Sequence, residues 1–282
     1  MERGGRPAAN EQFLVPLKKR LIILMRYAIS LAPPTTSPLW QRGSQWLGRD
    51  ACNGQYLPPP RFRGIDPERF AELTRTPAHH GFHATIVPPF RLAERVSEAD
   101  LLQDLDNFAA RQRPLSLAPL EIALLSNFFC LRPAGHCPVL QTLAALGIRA
   151  FERFRAPLTP GELARGKAVM LSGQEKRNLE IWGYPYVFEE FRFHFTLTTR
   201  MPEGREMNLL HNALLETFTP LLSGPLLIDD ICLFMEADAG KPMRCLYRFP
   251  FPPISSEPEE RTHHAPQLLQ KNIHPGYQCH SA

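Results

Sequence analysis

Two short stretches of the sequence carry the same pair of polar residues at the same spacing. "GFHATIV" at 81–87 and "RFHFTLT" at 192–198 each place a histidine two residues before a threonine, within otherwise apolar, β-type sequence. Side chains two residues apart on a strand point to the same face. His83 with Thr85, and His194 with Thr196, are therefore predicted to form two polar rows, each backed by apolar residues.

This pairing suits acid and base chemistry at phosphorus. An imidazole has an unperturbed pKa of about 6.5, so one histidine can accept a proton while a second one donates a proton. In the cleavage of a cyclic phosphodiester, the base would deprotonate the attacking water and the acid would protonate the departing oxygen. A neighbouring threonine hydroxyl can donate a hydrogen bond to a non-bridging phosphoryl oxygen. One His-x-Thr pair on a strand is usually a surface feature, but two pairs in equivalent places of a repeated unit favour catalysis.

The elements after each motif occur in the same order. "SEADLLQDLDNFAARQRP" is predicted to be a helix capped by Ser97, and "LEIALLS" and "NFFCLRP" are predicted strands that flank the turn Ser126-Asn127. After the second motif, "EGREMNLLHNALLETFTPLLSG" has helical periodicity, and "PLLIDDICLFMEA" and "MRCLYRFPF" are predicted strands around "DAGKP". The sequence therefore predicts the order strand, helix, strand, strand twice.

Further helices and a first strand complete the predicted elements. "PVLQTLAALGIRAFERF" is predicted to be helical, and so is "LTPGELARGKAVMLSGQEKRNLEIWG", which opens with the capping box Thr159-x-x-Glu162 and ends at Gly183. The first strand is predicted near "MRYAISLAP", and Trp40 and Trp46 are interpreted as packing residues of a short helix. Strands joined by helices indicate an α/β or α+β chain with two lobes, each a small sheet covered by helices.

Composition excludes several classes of protein. The chain has 282 residues, 44% of them hydrophobic, which is enough for a substantial core. A net charge of +4 from 32 basic and 28 acidic residues does not indicate a nucleic-acid surface. Six cysteines without a C-x-x-C pair are interpreted as reduced thiols of a cytosolic protein. No metal site and no cofactor are expected: His80 and His83 would fall on opposite faces of an extended strand, and no carboxylate accompanies His79 at a regular spacing.

The two ends of the chain are expected to lie outside the folded unit. Residues 1–24 contain no periodic element and are interpreted as a disordered extension. "LKKRLIILMRYAISLAPP" has a run of only five apolar residues before Arg26, which is too short for a signal sequence or a membrane span, so a strand is predicted there. Residues 255–282 are rich in Pro, Glu, His, Gln and Ser and are expected to be a disordered tail, which leaves 25–254 as the folded domain.

The motifs resemble a known superfamily. "FHATI" and "FHFTLT" resemble the paired signatures of the two-histidine phosphoesterases, which include RNA 2′,5′-ligase-like proteins and 2′,3′-cyclic phosphodiesterases. "RYAISLAPPTTSPLW", "WLGRD", "GFHATIVPPFRL" and "WGYPYVFEEFRFHFTLT" are similar to a bacterial branch associated with phosphonate metabolism, and the similarity runs over roughly 25–251. The resemblance implies an α+β, bilobal, internally duplicated fold in which two small antiparallel sheets line a central groove with helices outside. One His-x-Thr element is expected near 81–133 and the other near 190–251.

The resemblance also bears on substrate binding. In the branch, a lysine usually continues the first motif, where this sequence has Val87; Arg192 or Arg91 could replace it. Tyr27, in the kind of strand that borders the groove in this superfamily, is expected to contact the substrate, and so are Arg192 and Tyr186. For both tyrosines, a role in packing is the alternative.

The expected function is therefore metal-independent hydrolysis of a small cyclic or diester phosphate of a ribose or nucleotide. His83 and His194 would be the acid and the base, in an order that the sequence leaves open, and Thr85 and Thr196 would bind the phosphoryl oxygens. The phosphonate association favours a phosphoribosyl substrate. The protein is expected to be a cytoplasmic monomer with no membrane contact. Two alternatives stand beside this function: processing of RNA 2′,3′-cyclic or 2′,5′ ends, and binding of a phosphorylated ligand without turnover.

Overall fold

The computed structural model describes residues 25–167, 169–253 and a two-residue strand at 267–268. The predicted extension 1–24 and most of the predicted tail 255–282 lie outside the described residues. The α-helices and strands follow one another as β1 (Arg26–Leu31), α1 (Pro38–Trp46), α2 (Pro67–His80), β2 (Ala84–Phe90), α3 (Glu98–Ala109), β3 (Leu115–Leu117), β4 (Leu120–Leu125), β5 (Phe128–Pro133), α4 (Pro138–Phe151), α5 (Pro160–Lys167), α6 (Gly173–Trp182), β6 (Phe195–Thr196), α7 (Arg205–Phe218), β7 (Leu226–Ile228), β8 (Asp230–Glu236), β9 (Arg244–Pro250) and β10 (Gln267–Leu268).

The strands form small antiparallel sheets, and the predicted α+β class is confirmed. The largest sheet has the order β10-β9-β8-β1-β2, a second sheet has the order β4-β5-β6, and β3 pairs with β7. All of these pairings are antiparallel. β10 adds to the edge of the large sheet, where Gln267 lies opposite Arg248 and Leu268 opposite Tyr247.

Each sheet takes strands from both halves of the chain. The hairpin β4-β5 follows the first motif in sequence but pairs with β6, which carries Thr196 of the second motif. The hairpin β8-β9 follows the second motif but joins β1, and β1 pairs with β2, which carries Thr85 of the first motif. The two motifs are therefore held in one structure by strands that cross between the halves.

Local signals in the sequence explain several elements. Ser97 and Asp100 form the capping box that starts α3, as predicted. Ser126 and Asn127 both have positive φ angles, 46° and 64°, in the predicted turn between β4 and β5. Positive φ at both central residues is typical of the two-residue hairpin turn whose twist matches the flanking strands.

Other predicted elements are corrected by the structure. The helix predicted from Thr159 to Gly183 is two helices, α5 and α6, because Ser172 and Glu175 form a second capping box that starts a new helix. The capping box of Thr159 and the left-handed end of α6 at Gly183 are where the sequence predicts them. Helix α2 was not predicted, although it begins with Asp66 as N-cap and Pro67 at the first position.

The core continues between the two sheets around aromatic side chains. Trp40 and Trp46 of α1 are buried, as predicted, and the Trp46 indole N–H donates a 2.9 Å hydrogen bond to the Leu197 carbonyl oxygen. The rings of Phe82 and Phe195 stack with centroids 5.1 Å apart. Since Phe82 precedes His83 and Phe195 follows His194, this stacking joins the backbones of the two motifs within the core.

Over the described ranges, none of the helices combines the length and the apolar character that crossing a membrane would require.

Candidate active site

The two motifs have the same relation to their strands. β2 begins at Ala84 and β6 begins at Phe195, so each histidine lies immediately before its strand and each threonine is the second strand residue. The prediction that the strand of the second motif covers 192–198 is wrong, because only two residues form the ladder with β5. The equivalent placement of histidine and threonine in the two halves, however, agrees with an internal duplication.

His83 lies in a nearly closed environment. Its side chain is 8% exposed, and its ring centroid is 4.3 Å from that of Phe234. Nε2 lies 3.2 Å from the Thr85 hydroxyl oxygen, so these two polar groups converge on one point. Burial is the main cause that lowers the pKa of His83 to about 3, and the nearby charges of His80, Arg49 and His194 contribute to this shift. At neutral pH, His83 is therefore neutral and able to accept a proton.

His194 is held differently. Its Nδ1 lies 2.6 Å from the backbone carbonyl oxygen of Arg192, and its ring centroid lies 5.6 Å from that of Phe128. Burial lowers the pKa of His194 below its usual value, while the hydrogen bond to the Arg192 carbonyl favours the protonated form and opposes this shift. The charge of His194 is the smallest of the causes that lower the pKa of His83.

The threonines of the two motifs are both partly accessible. Thr85 lies opposite Ser30 on β1, and Thr196 lies opposite Cys130 on β5. The Thr85 hydroxyl lies beside His83, and both hydroxyls are accessible enough to donate a hydrogen bond to an oxygen of a bound molecule.

Thr198 does not belong to this polar row, although strand alternation from His194 suggests that it should. Its side chain is only 1% exposed, and its hydroxyl oxygen accepts a 2.9 Å hydrogen bond from the Phe129 backbone N–H. The strand ends before this residue, so the alternation of faces no longer applies. Thr198 therefore stabilises the junction between β5 and the second motif.

The basic side chain of Arg49 lies near His83, and no pattern in the sequence predicted it there. Arg49, within the quoted "WLGRD", donates hydrogen bonds to the backbone carbonyls of Ala78 and His79 at the end of α2. Burial is the main cause that lowers the pKa of Arg49 to about 10, and the charge of Arg244 is the second cause. Only the tertiary structure brings this arginine next to the first motif, so spacing in the sequence gives no signal for it.

Several buried polar atoms in this region have no hydrogen-bond partner among the described residues. They include Ser30 Oγ, Arg49 Nη1, His83 Nδ1 and Arg244 Nε. Buried polar groups without a partner are uncommon in native proteins. Their concentration distinguishes the surroundings of His83 from the rest of the core.

The reason given for excluding a metal at His79, His80 and His83 is wrong in one respect. His79 and His80 are the last residues of α2, so they do not share an extended strand with His83. Within the part of the chain that the structure describes, no group of three or more His, Cys, Asp or Glu side chains is arranged to hold a metal ion.

The predicted substrate-binding residues have different outcomes. Tyr27 is 2% exposed, and its hydroxyl donates a 2.9 Å hydrogen bond to Glu98 at the start of α3. Burial is the main cause that raises the pKa of Tyr27 above its usual value, and the charge of Glu98 is the second cause. Tyr27 alternates with Ser30 on β1 and so lies on the opposite face of the sheet from Thr85, which places it with the core and not with the motif. Tyr186 packs edge to face on Tyr184 with ring centroids 5.6 Å apart.

Arg192 is exposed, and it lines a cavity together with His194. This cavity has a volume of about 300 Å³ and lies between the end of β5, the start of α4 and the segment 191–194. A second cavity, of about 30 Å³, lies beside Pro88 and Tyr184 and is too small for anything larger than water. Of these two cavities, the larger one lies on the His194 side.

The residue at the position of the expected lysine, Val87, and one of its two suggested replacements, Arg91, are both engaged elsewhere. Val87 is buried, and its side chain packs toward Gly147 on α4. Arg91 donates hydrogen bonds to the Pro157 carbonyl and to Glu162, so its guanidinium is already occupied. Of the two arginines considered, only Arg192 is placed beside a motif histidine.

The fold and the site define an α+β chain with two equivalent His-x-Thr elements brought together across two sheets. The chain belongs to the family described as "Protein of unknown function (DUF1045)", whose model matches residues 85–244.

Two curated bacterial proteins, each named ribose 1,5-bisphosphate phosphokinase PhnN, are similar to this chain. The protein from Janthinobacterium sp. (strain Marseille) is 32% identical over 253 residues, which is 88% of this chain and 56% of that protein. The protein from Laribacter hongkongensis (strain HLHK9) is 39% identical over 223 residues, which is 78% of this chain and 50% of that protein. The chain thus spans about half the length of the curated relatives that it matches.

Among solved structures, E. coli LigT complexed with 3′-AMP is similar at a TM-score of 0.35 and 15% identity. The similarity covers 80% of this chain and 98% of the LigT chain.

Proposed function

We propose that this protein is a phosphodiesterase that hydrolyses a small cyclic or diester phosphate of a ribose or nucleotide, without a metal ion, through His83 and His194. The observation that supports this proposal most strongly is the equivalent placement of the two His-x-Thr pairs. In both, the histidine lies just before its strand and the threonine is the second strand residue. A duplicated acid and base pair is what an in-line displacement at phosphorus needs.

The proton roles follow from the two environments. His83, whose pKa is lowered to about 3, is the base and takes a proton from the attacking water. Burial lowers the pKa of His194 as well, but the Arg192 carbonyl that accepts from Nδ1 opposes this shift, and a bound phosphate anion would favour the charged form further, so His194 is assigned as the acid. The water oxygen bonds to phosphorus, the bond from phosphorus to the ribose oxygen breaks, and His194 Nε2 protonates that oxygen.

Thr85 and Thr196 stabilise the charge that develops on the phosphoryl oxygens. The Thr85 hydroxyl lies 3.2 Å from His83 Nε2, so an oxygen within reach of the hydroxyl is also within reach of the base. Removing one such donor typically lowers kcat by about 10²- to 10³-fold.

The names of the curated relatives support a ribose phosphate as the substrate class. They are named for a phosphokinase acting on ribose 1,5-bisphosphate, while this chain spans only about half their length. A phosphate-binding loop of the form G-x-x-x-x-G-K-[ST] cradles phosphates between a strand and a helix. The nearest match here, Gly161 to Lys167, is followed by Ala168 and lies inside helix α5. The proposed function is therefore diester hydrolysis and not phosphoryl transfer from a nucleotide. The association with phosphonate metabolism, which the sequence resemblance implies, is part of this proposal.

Isotope labelling tests the proposed reaction. Hydrolysis of ribose 1,2-cyclic phosphate and of adenosine 2′,3′-cyclic phosphate in ¹⁸O-labelled water should give a monoester with one label on phosphorus, detected by mass spectrometry. Label in a hydroxyl group of the ribose, or no turnover of either compound, would contradict diester hydrolysis at phosphorus. Preferential turnover of an RNA oligomer with a 2′,3′-cyclic end, with binding that weakens steeply as salt rises, would favour RNA end processing instead.

A further inference from the structure

The cavity of about 300 Å³ beside His194 has a basic lining. Arg132, His136 and Arg192 contribute to its wall together with His194, and no aspartate or glutamate is among its described lining residues. Its volume lies at the lower end of the range for small-molecule sites. The cavity is thus suited to a small anionic group.

The arginines differ in their existing partners. Arg132 donates a 2.8 Å hydrogen bond to Glu121 on the neighbouring strand. The Arg192 guanidinium makes no hydrogen bond or ion pair with any residue that the structure describes. In the smaller cavity, by contrast, Arg91 is paired with Glu162 and Arg155 with Glu152, so the charges there are compensated.

The first turn of helix α4 adds to the positive potential of the cavity. Cys137 is the N-cap of this 14-residue helix, its side chain makes no capping hydrogen bond, and it lines the cavity with Leu140 and Gln141. The first helical residue, Pro138, has no N–H, and the Leu140 N–H already donates to the Cys137 carbonyl, so the helix start contributes its dipole and not a set of free donors. The donors of the cavity are the side chains of Arg192 and His136.

We infer that this cavity binds a second phosphate group of the substrate, a terminal phosphate monoester separate from the diester that is cleaved. This inference rests on the proposed function. His194 lines the cavity, so a substrate whose scissile phosphorus is within reach of His194 extends directly into it. A phosphate monoester carries about −1.5 to −2 charges near pH 7, and arginine can bind it through two parallel hydrogen bonds.

The apolar part of the wall fits the sugar between the two phosphates. Phe191 and Phe193 line the same cavity, next to Arg192 in sequence. A ribose can pack its carbon atoms against these rings while its terminal phosphate reaches the basic residues. The substrate class is therefore a cyclic phosphodiester of a sugar phosphate, which carries charge at both ends.

A matched pair of substrates and a matched pair of variants test this inference. The substrates are ribose 1,2-cyclic phosphate with and without a 5-phosphate, and the ratio of their kcat/KM values is measured for wild type, Arg192→Gln and Arg200→Gln. Arg192→Gln keeps the backbone carbonyl that holds His194 but removes the charge. Arg200 is exposed and lines neither cavity, so Arg200→Gln is the control for loss of one positive charge.

Wild type and Arg200→Gln should prefer the 5-phosphorylated substrate by about 10- to 100-fold, as expected for charge-assisted hydrogen bonds. In Arg192→Gln, this ratio should fall close to one. A wild-type ratio near one, or an Arg192→Gln ratio equal to that of wild type, would overturn the inference while leaving the proposed hydrolysis intact.

Binding of ribose 5-phosphate, measured by calorimetry against unphosphorylated ribose, separates the inference from catalysis. Wild type and Arg200→Gln should bind ribose 5-phosphate, and Arg192→Gln should bind it at least about tenfold more weakly. This result would support the phosphate site even if no cyclic compound were hydrolysed. In that case only the proposed function would fail. Absence of ribose 5-phosphate binding at millimolar concentration in wild type would overturn the inference.

Discussion

The Nδ1 atom of His194 lies 2.6 Å from the backbone carbonyl oxygen of Arg192, and this contact determines which imidazole nitrogen can react. A carbonyl oxygen only accepts hydrogen bonds, so Nδ1 carries a proton and Nε2 is the nitrogen that can exchange one. The side chain of the same Arg192 lines the adjacent cavity. One residue therefore holds the His194 ring through its backbone and lines the cavity through its side chain, and in the proposed mechanism that side chain faces the substrate.

We expect kcat/KM to fall as pH rises through neutrality. Burial lowers the pKa of His194 below 6.5, so the protonated acid is lost at a pH below 6.5, whereas His83, with a pKa of about 3, stays unprotonated across this range. The kcat/KM value should be highest in mildly acidic buffer and should decline by about tenfold per pH unit above the pKa of His194. A pH profile with a cyclic phosphodiester that lacks a terminal phosphate measures this directly. A value that increases from pH 6 to 8 would contradict the assigned roles.

The same burial predicts an acid-sensitive fold. The folded protein keeps His83 neutral down to about pH 3, while the unfolded chain binds a proton below about 6.5, so stability falls as pH drops from 6.5 toward 3. Between pH 7 and 4.5, His83 should account for a loss of about 2 to 3 kcal/mol in the free energy of unfolding. Urea unfolding at both pH values should show this loss in wild type and in His211→Gln, an exposed control on α7, but much less of it in His83→Gln. Equal losses in all three proteins would contradict the burial of a neutral His83.

Removal of the hydroxyl should reduce stability at Thr198 and activity at Thr196, although these threonines are only two residues apart. Thr198→Val leaves the buried Phe129 N–H without its acceptor, which should cost about 1 to 3 kcal/mol of stability. Thr196→Val removes a proposed donor to the phosphoryl oxygen and should lower kcat by about 10²-fold with little change in stability. Steady-state kinetics and urea unfolding of both variants test this contrast. A Thr196→Val enzyme with wild-type kcat would remove Thr196 from the mechanism.

Gly81 is required by the geometry just before the first motif. Its φ angle is +88°, and a Cβ atom there would lie 2.5 Å from the Cβ of Ala51. Gly81→Ala should therefore destabilise the protein by more than about 1 kcal/mol and displace His83. Thermal unfolding measures the first effect. Gly135→Ala is a suitable control, because Gly135 also has a positive φ but no atom within 4 Å of the added carbon. If Gly135→Ala lost as much stability as Gly81→Ala, backbone strain alone would be responsible for the loss.

The sequence predicts those features that depend on neighbouring residues. The capping boxes of Ser97 and Thr159 and the turn at Ser126-Asn127 are short patterns, and each is where the sequence predicts it. The two His-x-Thr pairs are short patterns as well, but their histidines lie just before the strands and not on them. For α2 the local signal, Asp66 followed by Pro67, was present but not recognised.

The remaining features depend on contacts between distant parts of the chain. The pairing of β5 with β6, and the approach of Arg49 to His83, join residues far apart in sequence, for which periodicity gives no information. Tyr27 illustrates the same limit: alternation places it on one face of β1, but only the position of α3 decides that Glu98 binds its hydroxyl.

The most direct test of the two-histidine mechanism is the initial rate of cyclic phosphodiester hydrolysis in EDTA for wild type, His83→Ala, His194→Ala and the control His211→Ala. Wild type and His211→Ala should be unaffected by the chelator, and each motif substitution should lower the rate by at least about 10²- to 10⁴-fold. A rate abolished by EDTA, or one that persists near the wild-type value in either motif variant, would contradict the mechanism. A wild-type protein that binds the phosphodiester but never hydrolyses it would show that the two histidines serve binding alone.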